Sequence, residues 1–155
     1  MLRASLLYLL AALATSSAQA QASTAETKAV QQVVNSFFEG MRQGDSAMVR
    51  RTLAPGVVFH VIKKRGDKTE LGAENPQEFL KAVGTPHKEV WDERISFEQV
   101  LVDANLASVW TPYQFYIGPK FSHCGYNSFQ LIKLAEGWKI AHIIDTRRKE
   151  ACQPR

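Results

Sequence analysis

Hydrophobic and polar positions alternate over long stretches in the second half of the chain, a pattern typical of β-strands. We predict strands at about 88–102, 106–117, 121–134 and 138–146. Turn-forming residues separate them at 103–105, 118–120 and 136–137. Because each strand follows the last through a short turn, the four are expected to form an antiparallel meander.

The first half of the chain shows helical spacing instead. Ser23 and Glu26 have the spacing of a capping box, and Gly44 follows the last apolar position of the segment. Asp45 and Asn75 predict the starts of two further helices, and strands are expected at 57–62 and, more weakly, near 69–71. The order of elements predicts an α+β fold, with one strongly bent, mixed or antiparallel sheet wrapped around three helices of the N-terminal half.

The N-terminus has the pattern of a secretion signal. Arg3 precedes a short apolar run at 6–14, and small residues at 18–20 and 20–22 offer cleavage after residue 20 or 22. We therefore divide the chain into a cleaved signal at 1–22, a single domain at 23–150 and a tail at 151–155. The mature protein is expected to be periplasmic or secreted, without membrane attachment after cleavage.

Charge and cysteine content narrow the range of partners. The formal net charge is +4, and the basic runs at 63–65 and 147–149 do not interleave with aromatic residues, so no nucleic-acid partner is expected. The chain has two cysteines, Cys124 and Cys152. In an oxidising compartment they are expected to form a disulfide that ties the tail to the sheet.

The predicted turns also give a register for the strands. A two-residue turn at 136–137 would place Phe129 opposite Ile144 and Leu131 opposite His142. The same counting places Trp110 beside Phe129 on the face that the helices cover. The opposite face would carry Tyr113, Phe115 and Ile143, and this face is apolar enough to suggest a homodimer.

A few polar residues interrupt the predicted inner face. Under this register they are His60, Glu93, Tyr116, His123, Asn127 and His142, with Trp110 and Phe129 as aromatic walls. This combination predicts a pocket for a small, largely apolar or aromatic ligand. The alternative is an isomerase or lyase that needs no cofactor and acts by proton transfer, with Glu93 or His123 as the base and Tyr116 as the hydrogen-bond donor. A third hypothesis is an interaction protein that binds another polypeptide through the outer sheet face.

Less specific interpretations of these residues stay open. Glu93 can lie in solvent at the end of the sheet, His123 can cap a turn, and His142 can be a core histidine with satisfied hydrogen bonds. The histidines lack metal-binding spacing, and there is no glycine-rich phosphate loop. We therefore expect no metal and no cofactor.

Five segments together have a familiar pattern. They are the first helix with its end near 44–45, the strand at 57–62, and the sequences Ala-Ser-Val-Trp at 107–110, His-Cys-Gly at 123–125 and Gly-Trp-Lys-Ile at 137–140. In these segments the chain resembles the nuclear transport factor 2-like superfamily, and most closely its exported SnoaL-like and lumazine-binding-like bacterial members. The likeness covers residues from about 25 to 150. The resemblance implies a cone-shaped α+β fold with a pocket at its open end, and dimers formed through the outer sheet face.

The chain also departs from the steroid isomerases of that superfamily. Those enzymes use an aspartate base near the end of the first strand and a tyrosine on the first helix. Here the strand carries His60, and there is no tyrosine between Ser23 and Gln43. The isomerase mechanism is therefore not carried over. Dehydratase-like members use His–Asp pairs, but the alternation predicts that Asp145 faces outward.

Overall fold

A computed structural model describes the backbone of residues 12–152 and the side chains of residues 24–152. The helices are α1 (Ala12–Gln43), α2 (Ser46–Thr52) and α3 (Pro76–Gly84). The strands are β1 (Leu53–Arg65), β2 (Lys68–Glu74), β3 (Trp91–Ile95), β4 (Gln99–Asp103), β5 (Leu106–Ile117), β6 (Lys120–Leu134) and β7 (Gly137–Thr146). The side chains of the predicted signal at 1–22 lie outside the described residues, so the signal stays a prediction.

The seven described strands form one mixed sheet, which confirms the predicted α+β fold. The strand order is β2-β1-β7-β6-β5-β3, and β4 pairs with β5 beside β3. Strands β1 and β7 are parallel, and all other pairs are antiparallel. The predicted strand at 88–102 is in fact two strands, because its pairing with β5 shifts by one residue between Ile95 and Gln99.

The helix ends follow the sequence signals with one exception. Gly44 ends α1 with a φ of +71°, and Asp45 caps α2 by accepting a 2.8 Å hydrogen bond from the Met48 amide. Asn75 caps α3 by accepting from the amide of Gln77 at 2.8 Å. The predicted helix start at Ser23 is wrong, since α1 continues through it. Glu26 instead accepts 2.7 Å hydrogen bonds from Trp138 Nε1 and Lys133 Nζ, so it fixes the helix to the β6–β7 hairpin.

The core lies between α1 and the concave face of the sheet. Val30 and Val34 of α1 are fully buried, as are Phe129, Leu131 and Ile140 of the sheet. They belong to one cluster with Phe38, Val109 and Trp138. Each large apolar side chain buried in this way contributes roughly 1.5–3 kcal/mol to folding.

The observed register between β6 and β7 differs from the predicted one. The hairpin turn is Ala135-Glu136, so Leu131 pairs with Ile140 instead of His142. The register then shifts by one residue, because Ala141 is an extra residue between Ile140 and His142. Beyond this bulge the partner of Phe129 is Ile143, not Ile144.

The predicted pairing of β5 with β6 is also wrong by one residue. Phe129 pairs with Val109, and Trp110 pairs with Ser128. Because successive side chains point to opposite faces, this shift inverts both faces of β5. Trp110 and Phe129 therefore lie on opposite sides of the sheet, and the predicted wall that combined them does not exist.

The predicted disulfide is confirmed. Cys124 on β6 is bonded to Cys152, with Cα atoms 5.8 Å apart. The tail also pairs with β6 through main-chain hydrogen bonds between Cys124 and Arg148 of 2.8 and 2.9 Å. The segment after β7 is thus held against the sheet by covalent and hydrogen bonds. No helix within the described residues is both long and apolar enough to cross a membrane.

Candidate functional site

A cavity of about 290 Å³ lies between the helices and the open end of the concave sheet face. Helices α1 and α3 form one wall, and strands β1, β2, β3, β5, β6 and β7 form the other. Most of its lining is aromatic or aliphatic: Phe37, Phe38, Met41, Phe59, Phe79, Trp91, Tyr113, Phe115, Ile117, Phe129 and Ile143. This cavity is the strongest candidate site in the described part of the chain, because it is concave, mostly apolar and bordered by a few polar groups.

The aromatic floor of the cavity is tightly packed. The Phe37 ring stacks on Phe79 at a centroid distance of 5.7 Å and meets the edge of Phe129 at 6.3 Å. Phe59 contacts Phe79 edge-on at 5.4 Å. Such mutual contacts hold each ring in one orientation, so the floor is formed before any ligand arrives.

Glu93 of β3 is the central polar group of the cavity. Its Oε1 accepts a 2.8 Å hydrogen bond from Nδ2 of Asn127, which is buried on β6. Burial in the protein raises the pKa of Glu93 to about 7, against the lowering effect of the Asn127 hydrogen bond. Both protonation states of this carboxyl are therefore accessible near neutral pH, as general acid–base chemistry and proton-linked binding require.

A second polar group borders the cavity at the end of β7. Arg147 Nε donates to Asp145 Oδ2 at 2.8 Å, and its Nη2 lies 2.9 Å from Oε1 of Glu74. The Tyr113 hydroxyl donates to the Thr146 carbonyl at 2.9 Å and lies 3.4 Å from Asp145. Desolvation, followed by the nearby carboxylates, raises the pKa of Tyr113, so this hydroxyl stays protonated.

His123 lines the same cavity from β6. Its Nδ1 lies 3.0 Å from the Ser122 hydroxyl, and its ring meets Tyr113 edge-on at 5.7 Å. Desolvation and then the positive charge of Arg147 lower the pKa of His123, which favours the neutral imidazole near pH 7. Glu93, His123, Asn127 and Phe129 thus all border one cavity, and their catalytic or ligand-binding roles stay predictions.

Two of the predicted inner residues lie on the outer face, because β5 is inverted. Trp110 is 41% exposed and stacks on Tyr126 at 5.2 Å. The Tyr116 hydroxyl donates to Gln114 at 3.0 Å, and the Arg94 guanidinium lies 4.1 Å from the centre of its ring. The predictions that Trp110 is a cavity wall and that Tyr116 is a hydrogen-bond donor to a ligand are therefore wrong.

The two central histidines also lie on the outer face. His142 pairs with Gln130 beyond the bulge, and its Nε2 is 3.0 Å from Nδ1 of His60 on the parallel strand β1. His60 borders the cavity, but its ring is engaged with His142 on the other side of the sheet. His142 does not line the cavity, which corrects its predicted role as a ligand contact, whereas His60 borders the cavity with its ring engaged by His142.

The predicted dimer surface is inverted for the same reason. Tyr113 and Ile143 are buried, Phe115 is half-buried, and all three line the cavity. The outer face instead carries exposed apolar side chains, including Leu101, Leu106 and Trp110.

Three charged residues of the site were missed by sequence reasoning. Glu74 lies on the weakly predicted β2, and Arg147 belongs to the basic run at 147–149, which was considered only as a surface for nucleic acid. Asp145 was placed on the outer face because the bulge at Ala141 was not foreseen. The spacing of Asp145 and Arg147, two residues apart at a strand end, was the available signal for a shared face. No group of three metal-ligating side chains occurs among residues 24–152.

Comparisons with known proteins agree with this architecture. The chain is similar to the crystal structure of an NTF2-like protein with a cystatin-like fold from Novosphingobium aromaticivorans. The two are 10% identical with a TM-score of 0.67, and the match covers 88% of this chain and 91% of that one. An NTF2-like protein of unknown function from Shewanella baltica is 14% identical with a TM-score of 0.63, covering 82% and 97% respectively. A structure from Shewanella frigidimarina described as a "putative ketosteroid isomerase" is 22% identical with a TM-score of 0.56, covering 76% and 94%.

At these identities the structural likeness shows the fold alone, the NTF2-like fold that these structures have in common. None of the curated proteins compared with the chain matches it. A family model matches residues 25–143, which include β1 to β6 and most of β7. The chain therefore belongs to the family described as "Putative lumazine-binding".

Proposed function

We propose that this protein binds a small, largely apolar or aromatic molecule in the cavity between the helices and the open end of the sheet. One observation supports this most directly: a cavity of about 290 Å³ is lined by aromatic rings and contains the Glu93–Asn127 pair. Apolar walls provide binding energy when water leaves them, and a few fixed polar groups orient the ligand. At about 30 Å³ for each water molecule, the volume corresponds to about ten waters.

Binding can be tested with indole as a neutral aromatic probe, followed by isothermal titration calorimetry. Phe115→Ala removes a ring that lines the cavity, and we expect it to weaken binding about tenfold, the equivalent of about 1.4 kcal/mol. Tyr126→Ala is the matched control, because it removes a half-buried ring that stacks on Trp110 outside the cavity. Equal effects of the two substitutions, or no binding of indole by the unaltered protein, would contradict the proposal.

A second candidate function is proton transfer to or from a bound carbon acid, without a cofactor. The pKa of Glu93 near 7 favours it, since a carboxylate with that pKa is a stronger base than an exposed one. Glu93 also borders a groove along α1 that is lined by Ser36, Glu39 and Arg42, which gives its proton a route to solvent.

The assay for this alternative is exchange of the α-hydrogens of 2-tetralone in deuterated water, measured by NMR. Glu93→Gln should lower the exchange rate by about 100-fold or more if Glu93 is the base. The control is Glu98→Gln, which alters an exposed glutamate. A rate unchanged by Glu93→Gln would exclude Glu93 as the base.

We also propose that the protein acts in the periplasm or outside the cell. The proposal is supported by the N-terminal signal pattern and by the disulfide between Cys124 and Cys152. Protein isolated from its host should have an N-terminus at Gln21 or Ser23, as read by intact mass. An unprocessed Met1 would contradict export by cleavage. A homodimer stays a prediction, now through the face that carries Leu101, Leu106 and Trp110.

A further inference from the structure

The charge of the cavity is opposite to that of the chain as a whole. The chain has a formal net charge of +4. The cavity lining, in contrast, contains three carboxyls, those of Glu74, Glu93 and Asp145, against one guanidinium, that of Arg147, and the imidazoles of His60 and His123. The excess of acidic groups is therefore local to the site and does not follow from the composition.

The single arginine is already neutralised. Arg147 forms ion pairs with both Asp145 and Glu74, at 2.8 and 2.9 Å. An anionic ligand would have to compete with these two carboxylates for the guanidinium. His123 adds no positive charge near pH 7, because desolvation and the charge of Arg147 lower its pKa. The cavity thus offers an anion no unengaged cationic group among the described residues.

Glu93 is in the opposite situation. It accepts a hydrogen bond from Asn127, but within residues 24–152 no ion pair to it forms. The groups that act on it are Asn127 from β6, Asp145 from β7, Arg147 just after β7 and Tyr113 from β5. His123 from β6 borders the same cavity. From α1, Glu39 and Arg42 border the same groove and pair with each other. Glu93 is therefore a carboxyl in an aromatic environment without a countercharge of its own.

We propose that the cavity selects organic cations, namely small ligands with a planar aromatic body and one positively charged head that pairs with Glu93. The inference rests on the proposed binding function and adds the charge of the ligand. Two interactions favour such a ligand. Aromatic faces attract a cation through their quadrupole, and a planar nitrogen cation forms charge-assisted hydrogen bonds with a carboxylate.

The preference should depend on pH. Because the pKa of Glu93 is about 7 in the free protein, a cation displaces a proton from the carboxyl at about pH 6 but not at about pH 8. Affinity for a cation should therefore rise about tenfold across this range, while affinity for a neutral analogue stays constant.

The test uses three probes of nearly the same shape and different charge: benzamidinium, benzamide and benzoate. Titration calorimetry at about pH 8 should show benzamidinium binding about tenfold more tightly than benzamide, with benzoate weakest. Glu93→Gln should abolish the advantage of benzamidinium over benzamide. Glu98→Gln, which makes the same change in charge at an exposed position, should preserve it.

The outcomes separate this inference from the binding proposal. If indole or benzamide binds in the cavity but benzamidinium has no advantage, or if Glu93→Gln leaves the advantage intact, selection of cations is overturned and binding survives. If benzoate binds most tightly, the inference is also overturned. If neither the three probes nor indole binds, the binding function fails and this inference fails with it. Thermal unfolding of each variant shows whether a lost preference reflects lost folding.

Discussion

The two ends of the concave sheet face are built from the same strands but differ in how they are filled. At the closed end, Leu131 and Ile140 pack against Val30 and Val34 of α1 without exposure to solvent. At the open end, the same β6 and β7 carry Asn127 and Asp145, and a cavity separates them from the helices. One end stabilises the fold by close packing, and the other keeps space and polar groups for a ligand at a cost in stability.

The largest effect is expected at the closed end. Leu131→Ala removes a fully buried side chain and should lower the free energy of unfolding by about 4 kcal/mol. Urea denaturation measures this change. Indole affinity should stay within about twofold of the original, because Leu131 does not line the cavity. A loss below about 1 kcal/mol would mean that the closed end is not tightly packed.

A smaller loss is expected when the disulfide at the open end is removed. The cysteines are 28 residues apart, and a loop of this size corresponds to about 3.6 kcal/mol of stabilisation. Cys124→Ser with Cys152→Ser should show this loss in urea denaturation. The matched control is the unaltered protein treated with reductant, which should lose a similar amount. Stability that does not change in either case would show that the tail contributes little to the open end.

The third substitution is expected to stabilise the protein, whereas the first two destabilise it. The folded pKa of Glu93 is raised to about 7, so the folded state binds more protons than the unfolded state between about pH 4.5 and pH 7. The contribution of the Glu93 carboxyl to the free energy of unfolding is therefore fully present at low pH and is lost as the pH rises through about 7. Glu93→Gln should be neutral at about pH 4 and stabilising by about 2 kcal/mol at about pH 8, a value reduced for partial exposure.

The measurement is the free energy of unfolding of the unaltered protein and of the Glu93→Gln variant across this pH range. Glu98→Gln serves as the control for the loss of one negative charge and should show no such trend. A stability difference that does not vary with pH would contradict the raised pKa. It would also remove the contrast between a stabilising closed end and a costly open end.

The sequence allowed the elements to be predicted better than the faces. The caps at Asp45 and Asn75 and the disulfide depend on local signals or on chemistry that two residues share, and these predictions are confirmed. The last turn is one residue earlier than predicted, at Ala135-Glu136. The face of a strand depends on a running count from each turn, and one extra residue reverses it. The bulge at Ala141 has no local sequence signal, so Asp145 and His142 were assigned to the wrong faces.

The candidate site was predicted in part for the same reason. The inward-facing residues of β3 and β6 were predicted correctly. Four of them border the cavity: Glu93, His123, Asn127 and Phe129. Trp110 and Tyr116 lie on β5, where the error in register inverted the face. Arg147 was missed because its partners, Asp145 and Glu74, come from a misassigned strand and a weakly predicted one.

Because Ala141 is an extra residue in β7, its deletion offers a way to change the shape of the cavity. Without Ala141, Leu131 could still pair with Ile140 and Gln130 with His142. Gln130 and Leu131 are consecutive on β6, so their partners on β7 can be consecutive as well. Every side chain from His142 to Thr146 would keep its orientation, while β7 would lose a local bend. A crystal structure of the deletion variant would then show whether curvature alone, with an unchanged set of lining residues, determines how large a molecule the protein accepts.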